Sequence, residues 1–228
     1  MILPLIGLTI VLLLAFVPQM WIKGVLARHQ QERADFPGTG GEFARHILDE
    51  MKLHDVKVEL TDGGDHYDPR DKVVRLSKPH FEKRSLAAVV VAAHEVGHAM
   101  QDATAYPPLR ARTIMAKKAA GIERFGAFVM LAGPILMLLS RSPVILVLDM
   151  VAGAVIMIAG VVMHVVTLPV EFDASFRRAM PVLKAGNYIP PKDMAAARTI
   201  LRAAALTYVA AAAMSLLSVA RWLRVLKF

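Results

Sequence analysis

Four stretches of the chain are almost free of charge, and they set its outline. Residues 2–22 are apolar apart from Thr9 and Gln19, and Trp21 lies at the end of the run. About 20 residues at 1.5 Å each match a hydrocarbon core of roughly 30 Å, and aromatic residues collect at its edges. The start carries no Lys or Arg, and Val17-Pro18-Gln19-Met20 lacks a small-residue cleavage pattern, so the run reads as an uncleaved span rather than a signal peptide. A second run covers 125–140 and a third 144–168. Only Arg141-Ser142-Pro143 and their neighbours separate them, which predicts a tight helical hairpin. Asp149 and His164 interrupt the third run. A fourth, Ala-rich run covers 203–220, contains Tyr208 and ends in Arg221-Trp222-Leu223-Arg224. It either spans or lies in the interface, so three or four transmembrane helices are expected.

The pattern between the first two runs is different. Pro37-Gly38-Thr39-Gly40-Gly41 is a cluster of helix breakers. After it Phe43, Ile47, Leu48 and Met51 recur at helical spacing and predict an amphipathic helix over about 41–53, capped by Thr39 or Gly40. Val56, Val58 and Leu60 alternate with Lys57 and Glu59, the period of a strand. Residues 61–71 are rich in Gly and Asp and read as a loop. Residues 73–77 form a second strand that Lys78-Pro79 ends, and 86–100 a largely buried helix. That helix meets His94-Glu95 too early to cross a bilayer. The order is helix, strand, strand, helix: a small α+β domain within a mainly α membrane protein. The expected organisation is a transmembrane helix at 1–22, a cytosolic α+β domain at 23–124, a hairpin at 125–168, a cytosolic segment at 169–202 and a C-terminal helix with basic tail at 203–228.

Composition agrees with that division. Hydrophobic residues make up 56% and charged residues 20%, and the mean hydropathy is +0.47. The net charge is +8. Lys and Arg beside spans account for it, and no basic stretch interleaved with aromatics points to nucleic acid. Lys23, Arg28 and Arg33 follow the first run; Arg110, Arg112, Lys117, Lys118 and Arg124 precede the second; Arg177, Arg178 and Lys184 follow the third. Only Arg141 lies in the hairpin loop. Both 23–124 and 169–202 are therefore expected on the cytosolic side, which leaves the tail with Arg221, Arg224 and Lys227 outside, against the bias. The absence of cysteine excludes disulfides and thiolate metal sites, so a metal site has to use His, Asp or Glu.

His94-Glu95-Val96-Gly97-His98 supplies such residues in the H-E-x-x-H pattern. Residues four apart share one helix face, so two imidazoles can reach one zinc at about 2.0–2.1 Å. Glu95, one step round, sits beside the metal without ligating it and suits a general base. Gly97 costs helix propensity of about 1 kcal/mol relative to Ala, which fits close approach by another element. A catalytic zinc needs a third protein ligand and an open position. Because the second and third runs form a hairpin, Glu171-Phe172-Asp173-Ala174-Ser175 returns to the side of His94 whichever way the chain is oriented.

These segments carry a resemblance. His94 to Gln101, Asp65-His66-Tyr67-Asp68-Pro69-Arg70 with Val74 to Ser77, residues 168–175 and residues 204–210 resemble the YugP-type bacterial membrane zinc metallopeptidases over nearly the whole chain. A more distant similarity is to the HtpX and CAAX-processing membrane proteases, whose third-ligand Glu lies in a Glu-x-x-x-Asp pattern. The resemblance implies one zinc per chain held by His94, His98 and Glu171. It implies a gluzincin-like metalloendopeptidase in the bacterial cytoplasmic membrane, acting on peptides or membrane proteins at the cytosolic face. Ser175 stands where that pattern has Asp, and Asp173 is the nearby carboxylate. His66 and Tyr67 are candidate donors to the transition-state oxyanion, and Tyr208 is a further one. Residues 73–77 form either an internal strand or an edge that accepts a peptide. A non-catalytic zinc-containing scaffold or regulatory protein is the alternative function, and a fourth protein ligand would mark it.

Overall fold

The computed structural model describes residues 2–140 and 142–225. Arg141 and Lys227, which the charge argument uses, lie outside them. Most of the described chain is helical: α1 (Ile2–Arg28), α2 (Gly40–Glu50), α3 (Lys78–Phe81), α4 (Leu86–Ala103), α5 (Pro107–Ser140), α6 (Pro143–Phe172), α7 (Met180–Ala185) and α8 (Met194–Val225). A π turn at Asp173–Ala179 joins α6 to α7 without a break.

The apolar runs are helical, and their helices extend past them. α5 starts well before the run at 125, so the basic residues from Arg110 to Arg124 lie on a helix rather than in a loop. α8 likewise starts before 203. Among the described residues, one continuous helical stretch, Val147–Ala185, contains an 18-residue window apolar enough by length and composition to cross a membrane, with a mean hydropathy of 2.4 over that window. α1, α5 and α6 also present large apolar side chains outward, among them Phe16, Phe128, Leu131, Leu138 and Val151.

The sheet has one strand more than the pattern predicts. β1 (Lys57–Thr61), β2 (His66–Asp68) and β3 (Val73–Ser77) run in the order β1-β3-β2. β1 and β3 are parallel with Val58 opposite Val74, and β2 is antiparallel to β3 with Tyr67 opposite Val74. β2 lies inside the stretch expected to be a loop. Three residues between Gly64 and Pro69 are too few to display a period. β3 is therefore the central strand, and β2, not β3, offers an edge.

α4 is buried on every side, as a helix apolar all round has to be. One face meets α2 and the sheet through Ala92, Val96 and Ala99 against Ile47, Leu48, Val74 and Leu76. The other meets α1, α7 and α8 through Leu86, Val89, Val90 and Ala93 against Val25, Leu183, Ile200 and Leu201. Each of the large side chains contributes about 1.5–3 kcal/mol through burial. The ends of these helices are fixed locally. Thr39 Oγ1 accepts from the Glu42 backbone at 3.2 Å and Glu42 Oε2 accepts from the Thr39 backbone at 2.7 Å, a reciprocal capping box for α2. Ser85 Oγ accepts from Ala88 N at 3.2 Å and starts α4.

Candidate metal centre

α4 carries His94 and His98 one turn apart, with ring centroids 4.7 Å apart. The side chain that meets them comes from the end of α6. His94 Nε2 lies 3.2 Å and His98 Nε2 3.7 Å from the same Glu171 oxygen, Oε2. One ligand atom from each of the three residues lies within 4.8 Å of the others, and all three residues are buried.

Pro169 and the π turn set this placement. Proline has no N–H to continue the α-helical ladder. The turn that follows closes with a wider i→i+5 register, a form that recurs at functional sites. Here it brings Glu171 and Ser175, four apart, onto opposite nitrogens of one imidazole: Glu171 faces Nε2 of His94, and Ser175 Oγ lies 3.1 Å from Nδ1. The π turn also lies directly on α4. A Cβ at Gly97 would come within 2.8 Å of the Ala174 carbonyl oxygen, which is the close approach that a glycine in this helix suggested.

Each imidazole is held from behind. Gln101 is fully buried, and its Nε2 donates to the Val170 carbonyl and to Asp173 Oδ2, both at 2.8 Å. Those two obligate acceptors fix the amide orientation. Gln101 Oε1, 2.9 Å from His98 Nδ1, therefore accepts, and the Nδ1 proton leaves a bare lone pair on Nε2. Asp173 is anchored in turn by Arg178 Nε at 2.7 Å. The supporting carboxylate that the Glu-x-x-x-Asp pattern places at 175 is thus present at 173, acting on His98 through Gln101, while Ser175 supports His94 directly. Loss of such a partner typically weakens metal binding about 10–100-fold. We expect Gln101→Ala to lower zinc affinity by that factor, measured by competition with a chelating dye; an unchanged affinity would mean that His98 needs no orienting bond.

Electrostatics separates the two acids. Burial pushes the Glu171 carboxyl up, but the hydrogen bond with His94 and the neighbouring His98 imidazole outweigh it and hold the group well below the usual carboxylate range. Glu95 is pushed up to about 7, chiefly by burial, against the opposing pull of His94 and with Glu171 and Asp65 adding to the rise. Two buried imidazole nitrogens and an ionised carboxylate, each oriented by its own partner, form the donor set of an open zinc site. The residues fit the ion.

The other predicted residues sit around a cavity of about 330 Å³ that the site lines. His66 is on its wall, with Nδ1 donating to the Gly64 carbonyl at 2.8 Å. Tyr67 also contributes, but its hydroxyl donates to Asp102 Oδ2 at 2.9 Å. Asp65, on the same loop, accepts from Ser77 N at 2.7 Å and pairs with His80 Nδ1 at 2.7 Å. Tyr208, from α8, faces Glu171 at the cavity. Asp149 and His164 are on α6 away from this cavity; the Asp149 carboxylate rests on Gly133 of α5.

Two residues of the centre have little or no signal in the sequence. Arg112, counted there only as a span-flanking charge, places Nη1 3.3 Å from Glu171 Oε1, the oxygen turned away from the imidazoles. Gln101 follows His98 by three and so shares its helix face, a legible clue once His98 is suspected.

The chain matches the family described as "Putative neutral zinc metallopeptidase" over residues 4–227. It is 38% identical over 215 residues to "Putative membrane protease YugP" of Bacillus subtilis (strain 168), covering 93% of this chain and 91% of that protein. No solved structure matches it.

Proposed function

The chain belongs to this zinc metallopeptidase family, and on that footing we propose that it is a membrane-embedded peptidase, with His94, His98 and Glu171 as zinc ligands and Glu95 as general base. It hydrolyses peptide bonds of membrane proteins or peptides at the cytosolic membrane face. The observation that carries this reading is the convergence of one carboxylate and two imidazoles beside a fourth acid, Glu95, that is buried and poised near neutrality.

When bound, zinc supplies Lewis acidity, polarising the substrate carbonyl and lowering the pKa of water to about 7. The protein supplies the rest. Glu95 takes a proton from the attacking water as its oxygen adds to the carbonyl carbon. Glu95 then gives that proton to the amide nitrogen as the C–N bond breaks. One water is consumed, the remaining hydroxyl proton passes to the departing amine, and a carboxylate and an ammonium leave. A base tuned near the working pH suits both transfers. Tyr208 and His66 are the side chains on the cavity wall best placed to donate to the developing oxyanion, since Asp102 engages the Tyr67 hydroxyl. The β2 edge beside them accepts the extended substrate backbone.

The membrane reading rests on three observations. α1, α5 and α6 expose more large apolar side chains than a water-soluble surface tolerates. The helix Val147–Ala185 contains a window with the length and hydropathy of a span. The Bacillus subtilis relative is described as a membrane protease. α1, α5 and α6 cross the bilayer in this reading. α8 packs against both α1 and α6, which favours a fourth crossing over an interfacial position.

A zinc-loaded full chain in detergent should cleave an unstructured peptide library, lose that activity when 1,10-phenanthroline removes the metal, and regain it on adding zinc. A zinc-loaded, folded chain that cleaves nothing would sink the peptidase reading.

A further inference from the structure

A second cavity of about 250 Å³ is lined by the same metal-facing groups. It shares His94, Glu95, Glu171, Asp65 and Tyr208 with the first. Its remaining walls are apolar: Ile22 and Leu26 of α1, Val91 of α4, and Ile200, Leu201 and Ala204 of α8. The first cavity is lined in addition by the charged side chains Asp68, Arg70 and Arg112. The centre therefore borders two chambers of unlike character.

Their position relative to the apolar runs gives this contrast a direction. Ile22 is the last residue of the first run, and Leu26 lies one turn beyond it. Ala204 is the second residue of the fourth run, with Ile200 and Leu201 just before that run. Glu171 follows the third run by three residues. All three ends meet at the apolar chamber, so it sits where the bilayer core gives way to the polar domain. From this we infer the substrate class, an inference that rests on the peptidase reading. We propose that the protein cleaves at the junction between an apolar and a polar stretch. A large aliphatic or aromatic side chain next to the scissile bond fills the α1–α8 chamber, and the polar continuation runs past β2 in the other.

The chamber has room for one such side chain, and apolar subsites discriminate about 10–200-fold per methylene. A large apolar residue should thus be favoured at one subsite, on one side of the bond only. The test is cleavage-site mapping by mass spectrometry, using the zinc-loaded full chain and a library of unstructured peptides. Leu, Ile, Met or Phe should be enriched at that single subsite by tenfold or more. Ala204→Trp, which fills the chamber from α8, should shift that preference toward Gly and Ala and leave the other subsites as they were. Ile22→Trp, which fills it from α1, should do the same and stands in if the first variant does not fold. In zinc-loaded Glu95→Gln, fluorescence anisotropy of labelled peptides should show weaker binding when the apolar residue at the mapped site is changed to Gly. Cleavage without an apolar preference, or a preference that neither Trp variant moves, overturns the inference alone. No cleavage by the zinc-loaded wild type removes the peptidase reading and this inference with it.

Discussion

Replacing Glu95 with Gln is expected to slow peptide hydrolysis by roughly 10²–10⁴-fold while zinc stays bound. The amide keeps the shape of the side chain and cannot take up a proton. His94, His98 and Glu171 are untouched, so metal content by atomic absorption should match the wild type. Retained hydrolysis at the wild-type rate would remove Glu95 as the base. The same variant separates burial from chemistry. The wild-type carboxyl is raised from 4.5 to about 7 in the fold. Between those pH values the folded state holds a proton that the unfolded state has lost, so stability falls as pH rises. The cost is absent below about pH 4.5 and complete above about pH 7, on the order of 3 kcal/mol. Metal-free Glu95→Gln should therefore melt several degrees above metal-free wild type at pH 8, with little difference at pH 4.5. Equal melting temperatures at both pH values would show that the buried acid carries no such penalty.

Glu171→Gln is expected to abolish zinc binding at micromolar free zinc, and all hydrolysis with it. The substitution preserves volume and removes the one anionic donor from the set. Its effect should exceed the roughly 10–100-fold loss that follows removal of a supporting partner. Chelator competition would measure it. Circular dichroism should stay unchanged, because α6 and the π turn are held by α4 and α8 rather than by the carboxylate. Zinc held at wild-type affinity by this variant would place the third ligand elsewhere. Arg112 shows why the site resists a neutral replacement: its guanidinium faces Glu171 Oε1 and loses its nearest countercharge.

How much of this was legible in the sequence can be read from particular residues. The capping box at Thr39, the alternation in β1 and the spacing of His94 and His98 were all visible because each is a property of a few consecutive residues. That Glu171 meets His94 follows from a simple count: two runs joined by a short loop return the chain to where it started. β2 was hidden by its brevity. The helical extensions of α5 and α8 were hidden because Arg110, Arg112, Lys117 and Lys118 in the one, and Arg198 and Arg202 in the other, break the apolar runs there.

The sequence by itself determined which residues can hold a metal, because chemistry and helical period are local. Only the tertiary structure decided how they are held. Gln101 meets Asp173 across 72 positions, and Ser175 meets His94 across 81. Those distances depend on how far the π turn can settle onto α4, which Gly97 allows and any larger side chain would prevent. Such register is set by the packing of one helix against another, and no run of neighbouring residues encodes it.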